Sequence, residues 1–277
     1  MLENFTNMMT PEFLKYILIP ALIGGIAVTL CSSLLGVSMV LKRYSMIGDG
    51  LSHVGYGALS VAAVMNLAPM KFALPVVVAS ALILLKLNDS SRIKGDSAIA
   101  IFSTSALAIG ILVSSKAGLT NDVSHYMFGS ILAMDKNDVV LSVILSLIVL
   151  SIFIIFYNKI FGVTFDENFS KATGIKTEVY KIIIAVLTAV TVVLGMMMMG
   201  SLLMSSLIIF PAITSMRICK SFKSVILCSG TISVLCFLCG MFISIALDTA
   251  PGASVVVINV IMLLIFTIMG KIKSKFM

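Results

Sequence analysis

The chain has 277 residues, of which 60% are hydrophobic and 11% charged, with a mean hydropathy of +1.16. A soluble domain of this length needs more charge to cover its surface, so the composition excludes an ordinary soluble enzyme and points to a chain that faces lipid. The formal net charge of +7 could suggest nucleic acid, but the cations sit in short loops between apolar runs, where they meet a membrane surface; no nucleic-acid partner is expected.

Residues 1–13, MLENFTNMMTPEF, carry acids where a signal peptide would carry cations. They are expected to form a peripheral segment, with Thr10-Pro11-Glu12 as a helix start. Residues 14–277 read as a single transmembrane domain. Its apolar runs fall at 14–41, 46–66, 70–87, 96–115, 138–157, 181–199, 201–216, 225–245 and 254–270, each near the length that spans a bilayer. No charge separates the run at 181–199 from that at 201–216, and Gly195 and Gly200 mark either a turn or a mere break. The expectation is an all-α polytopic membrane protein with about eight or nine transmembrane helices.

The run that begins at residue 46 is chemically unlike the others. In KRYSMIGDGLSHVGYGALS (42–60), Asp49, Ser52, His53, Tyr56, Gly57 and Ser60 recur at the spacing of one helical face, while Leu51, Val54 and Ala58 occupy the other. An aspartate at membrane depth costs about 2.5–3.5 kcal/mol on insertion scales. Asp49, one turn before His53, supplies a carboxylate and an imidazole to the same face, which is half of a divalent-cation site. A structural alternative stands beside it: Asp49 caps the helix just after Gly48, and His53 bonds a neighbouring carbonyl.

Residues 116–137 hold His125 beside Asp122 and the semi-apolar YMFGSILAM, read as a short helix in or dipping into the surface, with His125 solvated. Residues 158–180 mix charges with Phe161, Phe165 and Phe169 at helical spacing, giving an amphipathic segment that either meets a partner or lies on headgroups. Met196 to Met199 could suggest a soft ion, but a contiguous run points around a helix, so apolar filling is expected. Cys31, Cys219, Cys228, Cys236 and Cys239 read as free thiols, including the C-x-x-C pair. No phosphate loop, H-E-x-x-H or G-x-S-x-G is present, so the chain is expected to be no enzyme of those kinds. Fifteen of the 19 lysines and arginines fall on one side of the implied topology, which puts the N-terminus outside and the C-terminus in the cytoplasm.

Five segments then occur in a set order: LLGVSMVLKRYSMIGDGLSHVGYGAL (34–59), HYMFGSILAM (125–134), FDENFSKATGI (165–175), GSLLMSSLIIFPAITSMR (200–217) and DTAPGASVVV (248–257). Together they resemble the membrane permeases of zinc, manganese and iron ABC importers. The resemblance implies a plasma-membrane permease that pairs with a second copy and binds no permanent cofactor. It also implies cytoplasmic ATP-binding subunits that hydrolyse ATP on a separate chain, and an extracytoplasmic metal-binding protein that delivers the cargo. The family's paired aspartate and histidine fall on Asp49 and His53 as the metal site, and the coupling loop falls near 158–180. Zinc is the first expected cargo. The alternatives are a manganese or iron importer of the same class, or a stand-alone ion-coupled carrier, which would need more intramembrane acids than Asp49.

Overall fold

The computed structural model describes residues 14–89, 95–129 and 136–275; the peripheral segment expected at 1–13 lies outside them. After one π-helical turn at Leu14–Leu18 come α1 (Ile19–Leu41), α2 (Ser45–Val64), α3 (Pro69–Asp89), α4 (Gly95–Lys116), the short α5 (Thr120–Phe128) and α6 (Lys136–Ile155). The second half holds α7 (Tyr157–Phe165), α8 (Glu167–Ala172), α9 (Thr177–Met199), α10 (Ser201–Met216), α11 (Phe222–Leu247) and α12 (Pro251–Lys275). The described residues contain no strand, as expected of an all-α chain.

Local chemistry sets the ends of these helices. Pro20 stands in the first turn of α1, where its missing N–H costs nothing. Ser221 and Ser224 form a reciprocal capping box at the start of α11, and Asp248 ends that helix in the left-handed conformation, leaving Pro251 to open α12.

Six helices, α1, α3, α4, α9, α11 and α12, are long and apolar enough to cross a membrane, and the α6–α7 pair, bent by 69°, makes up to seven. The remaining apolar runs become α2 and the 16-residue α10. Every expected run is therefore helical, but α2 is too polar and α10 too short to pass on length and apolarity. Most residues of both are buried inside the bundle. Most of the packing on α2 comes from α3, α4, α9 and α10, and most of that on α10 from α1, α2, α11 and α12.

The chain between 181 and 216 makes a turn. Gly200 has φ +86°, a conformation that L side chains rarely adopt, and it separates α9 from α10. Met204 of α10 lies against Gly195 of α9; in one continuous helix residues nine apart would be roughly 13 Å apart along the axis. The chain therefore reverses at Gly200. A helix of this length rises only about 24 Å, less than a hydrocarbon core of roughly 30 Å, and the tip is buried. Gly129, at the end of α5 with φ +80°, sits directly on the Met199 carbonyl and covers it.

The methionine run packs as apolar filling. Met196, Met198 and Met199 are fully buried and point respectively at Gly55 of α2, Gly24 of α1 and Gly25 of α1. The five cysteines are free. On α11, Ser229 and Ser233 donate to the Ser33 and Thr29 carbonyls of α1 at 3.3 and 3.4 Å, so this interface carries polar ties as well as packing.

Candidate metal centre

The site begins at the turn from α1 to α2. Arg43 adopts φ 60°, and the Tyr44 N–H donates to the Met39 carbonyl at 2.7 Å. The N-cap of α2 is Tyr44, without a side-chain cap, and no acid lies in the first turn. With Ser45 as the first helical residue, Asp49 is the fifth, beyond the orphan N–H groups that a cap satisfies. Its carboxylate does not cap the helix.

His53 Nε2 lies 3.8 Å from Asp49 Oδ2, too far for a hydrogen bond. A single ion with bonds of roughly 2.1 Å could bridge the two atoms. His53 Nδ1 is buried and has no hydrogen-bond partner, so the carbonyl-bonded histidine weighed from sequence is absent as well. The side chains of Asp49 and His53 keep 35% and 32% exposure on a helix whose remaining polar face is shut.

That closure divides the polar stripe. Ser52, fully buried, donates to the Gly48 carbonyl at 3.1 Å and accepts from Ser205 of α10 at 3.3 Å. Tyr56 is buried, and Ser60 donates to its carbonyl at 2.8 Å. Gly57 meets the backbone of Ala106 on α4. Only the Asp49–His53 end remains open, and it offers two donors. Among the described residues no group of three or more His, Cys, Asp or Glu side chains could hold a metal. His125 lies exposed on α5 and joins no such group.

The Lys42–Glu167 tie at the other end of this turn is not readable from spacing. Glu167 Oε2 accepts from Lys42 Nζ at 3.2 Å, while Oε1 faces Lys171 and Lys181 at 3.0 and 3.1 Å. Glu178 stands 3.0 Å from Lys181. The i, i+4 pairing of Glu167 with Lys171 is a sequence signal; Lys42, 125 residues away, gives none. Partial burial acts to raise the Glu167 pKa, but hydrogen bonds from Lys171, Lys181 and Lys42 outweigh it and hold the carboxyl at about 2. Because the folded value is below the ordinary 4.5, the cluster's stabilisation is fully present above that value and is lost as pH falls toward 2.

Asp166 caps α8, accepting from the Phe169 N–H at 2.9 Å. Both acids of this segment are thus engaged within the chain. What it presents outward is aromatic: Phe165 and Phe169 are 61% and 66% exposed, and Phe165 is in ring contact with Phe161 and Phe222.

The sequence profile of the ABC 3 transport family matches residues 15–270. The manganese import system permease protein ScaB of Streptococcus gordonii is 28% identical over 245 residues, covering 88% of each chain. The high-affinity zinc uptake system membrane protein ZnuB of Haemophilus influenzae is 29% identical over 242 residues, covering 87% of this chain and 93% of that one. Among solved structures, PsaBC from Streptococcus pneumoniae in complex with Fab matches with a TM-score of 0.83 at 29% identity, over 96% of this chain and 95% of that one.

Proposed function

The chain belongs to the ABC 3 transport family, and from that premise we propose that it is the membrane permease of an importer that moves a divalent transition-metal cation into the cytoplasm. The observation that carries the reading is the Asp49–His53 pair: two donors 3.8 Å apart, left open on a helix that is otherwise buried. A carboxylate and an imidazole suit zinc and manganese alike, and relatives named for each metal match this chain equally well. Zinc is the first ion to test.

Two donors do not complete a coordination shell. A second copy meeting this one at the open face would bring another Asp49 and His53, and an extracytoplasmic metal-binding protein would deliver the ion. Hydrolysis of ATP would fall to separate cytoplasmic subunits. Supporting that division of labour are the absence of a phosphate loop in this sequence and the cation asymmetry, which puts α7 and α8 on the cytoplasmic side of the plasma membrane.

Right-side-out vesicles carrying the permease with its ATPase, loaded with ATP and given the binding protein outside, are expected to accumulate zinc, with manganese as competitor. A cysteine replacing the exposed Ala117 in a cysteine-free background is expected to react with an impermeant thiol reagent from outside. Uptake that ignores internal ATP would leave the stand-alone carrier as the better account.

The ATPase is expected to dock on Phe165 and Phe169 rather than on the engaged Asp166 and Glu167. Replacing both rings by serine should weaken co-elution with the ATPase by about 2 kcal/mol or more, roughly 30-fold. The melting temperature of the permease alone should hold, because both rings are mostly exposed. Undiminished co-elution would assign this face to lipid headgroups.

A further inference from the structure

We propose that Glu167 is a positioning residue, tying α8 through Lys42 to the turn from which α2 starts, so that a displacement of α8 is carried to the Asp49–His53 pair. The proposal rests on the transport reading above and adds to it a route between its two ends.

Side chains hold α8 to the bundle at few points. Of its six residues only Ser170 is buried and Glu167 half-buried; the other four are exposed. Ser170 is packed inward, while Glu167 makes the ion pairs of the connection and is tied on two sides. Lys42 and Lys181 have side chains 7% and 4% exposed. An ammonium this far from water depends on its anion, because removing one partner leaves an uncompensated buried charge. Lys181 anchors Glu167 to the first turns of α9. Lys42 anchors it to the end of α1.

From Lys42 the connection to α2 is short and stiff. Its ammonium also lies 5.6 Å from the centre of the Tyr44 ring, and Tyr44 is the N-cap of α2. Backbone hydrogen bonds from Lys42 to Ser38, Tyr44 to Met39 and Ile47 to Tyr44 brace the turn. Arg43 is held at φ 60° within it, a conformation that costs a non-glycine residue and persists only where the surroundings enforce it. Asp49 follows Lys42 by seven residues, most of them already helical. A shift of Glu167 thus reaches Asp49 through an ion pair, a braced turn and one rigid helix, with no flexible segment between them.

The alternative is a static staple that only holds the fold, and the two separate experimentally. Lys42→Met removes the buried ammonium without stranding it and cuts the arm to α2, leaving Lys171 and Lys181 on Glu167. In a cysteine-free importer assembled with its ATPase, Met46→Cys, on the exposed first turn of α2, reports that helix by its rate of thiol labelling. The labelling rate is expected to change on ATP addition, and Lys42→Met is expected to abolish that change while ATP hydrolysis and co-elution persist. Metal moved per ATP should fall about tenfold, within the usual range of coupling between sites. Lys42→Arg, which keeps the charge, should restore both.

An ATP-dependent rate that survives Lys42→Met overturns the proposal, as does an unmodified importer in which ATP leaves Met46→Cys unaffected. Loss of hydrolysis in parallel with labelling also overturns it and assigns Lys42 to the fold. The labelling needs no metal, so it stands or falls separately from the identity of the cargo.

Discussion

Asp49→Asn and His53→Gln are each expected to lower metal uptake at least about 100-fold, beyond what disturbing an outer-shell partner of a ligand costs, while the permease stays folded. Both substitutions nearly preserve shape and keep hydrogen-bonding capacity. They remove what a cation needs: the carboxylate charge in one case and the imidazole nitrogen in the other. The structure sharpens the contrast, because Asp49 does not cap α2 and His53 Nδ1 has no hydrogen-bond partner to lose. Neither change should therefore lower stability through a broken cap or bond, and Asp49→Asn should ease insertion by relieving a charge at membrane depth. The measurement is ATP-driven zinc uptake in vesicles, normalised to permease content, with a melting curve for each variant. Near-normal uptake in both would remove the pair from the pathway.

The second large effect is on folding. Gly36→Ala should lower the melting temperature by roughly 5 °C or more, whereas Gly230→Ala should not. In a helix, alanine is intrinsically better than glycine by about 1 kcal/mol, so propensity alone predicts a gain at both positions. Packing decides otherwise at Gly36, where a Cβ would run into the carbonyl and Cα of Ile208 on α10. Backbone cannot rotate aside as a side chain can, and α10 is held from behind by α11 and α12. Overpacking typically costs about 1–3 kcal/mol and occasionally more; a main-chain collision belongs at the upper end and outweighs the propensity. At Gly230 the nearest atom is Leu30 Cδ2 at 3.6 Å, an ordinary contact. Equal melting of the two variants, followed by size-exclusion fluorescence in detergent, would mean that α1 and α10 are not so closely packed.

Composition and periodicity determined the class of this protein because lipid exposure imposes a demand on each segment by itself. A helix that faces hydrocarbon must be apolar over its own length, and α3, α4, α11 and α12 announce themselves without reference to anything else. The Asp49–His53 pair was legible for the converse reason: two ionisable residues one turn apart in an apolar run are a local exception, visible wherever the helix goes. Tertiary structure alone decided which of the sequence's alternatives the chain takes. The cap reading of Asp49 fell because α2 starts at Ser45, five residues earlier than a cap at Asp49 requires, and that start is set by the braced turn after α1. The stripe from Asp49 to Ser60 is uniform in sequence, yet only its first turn stays open, because α4 and α10 close over the rest. The Gly200 break became a reversal because Met204 packs back on Gly195. The tie between Glu167 and Lys42 had no sequence signal, since an ion pair between residues far apart in the chain exists only where packing brings their side chains together and excludes the water that would otherwise screen them.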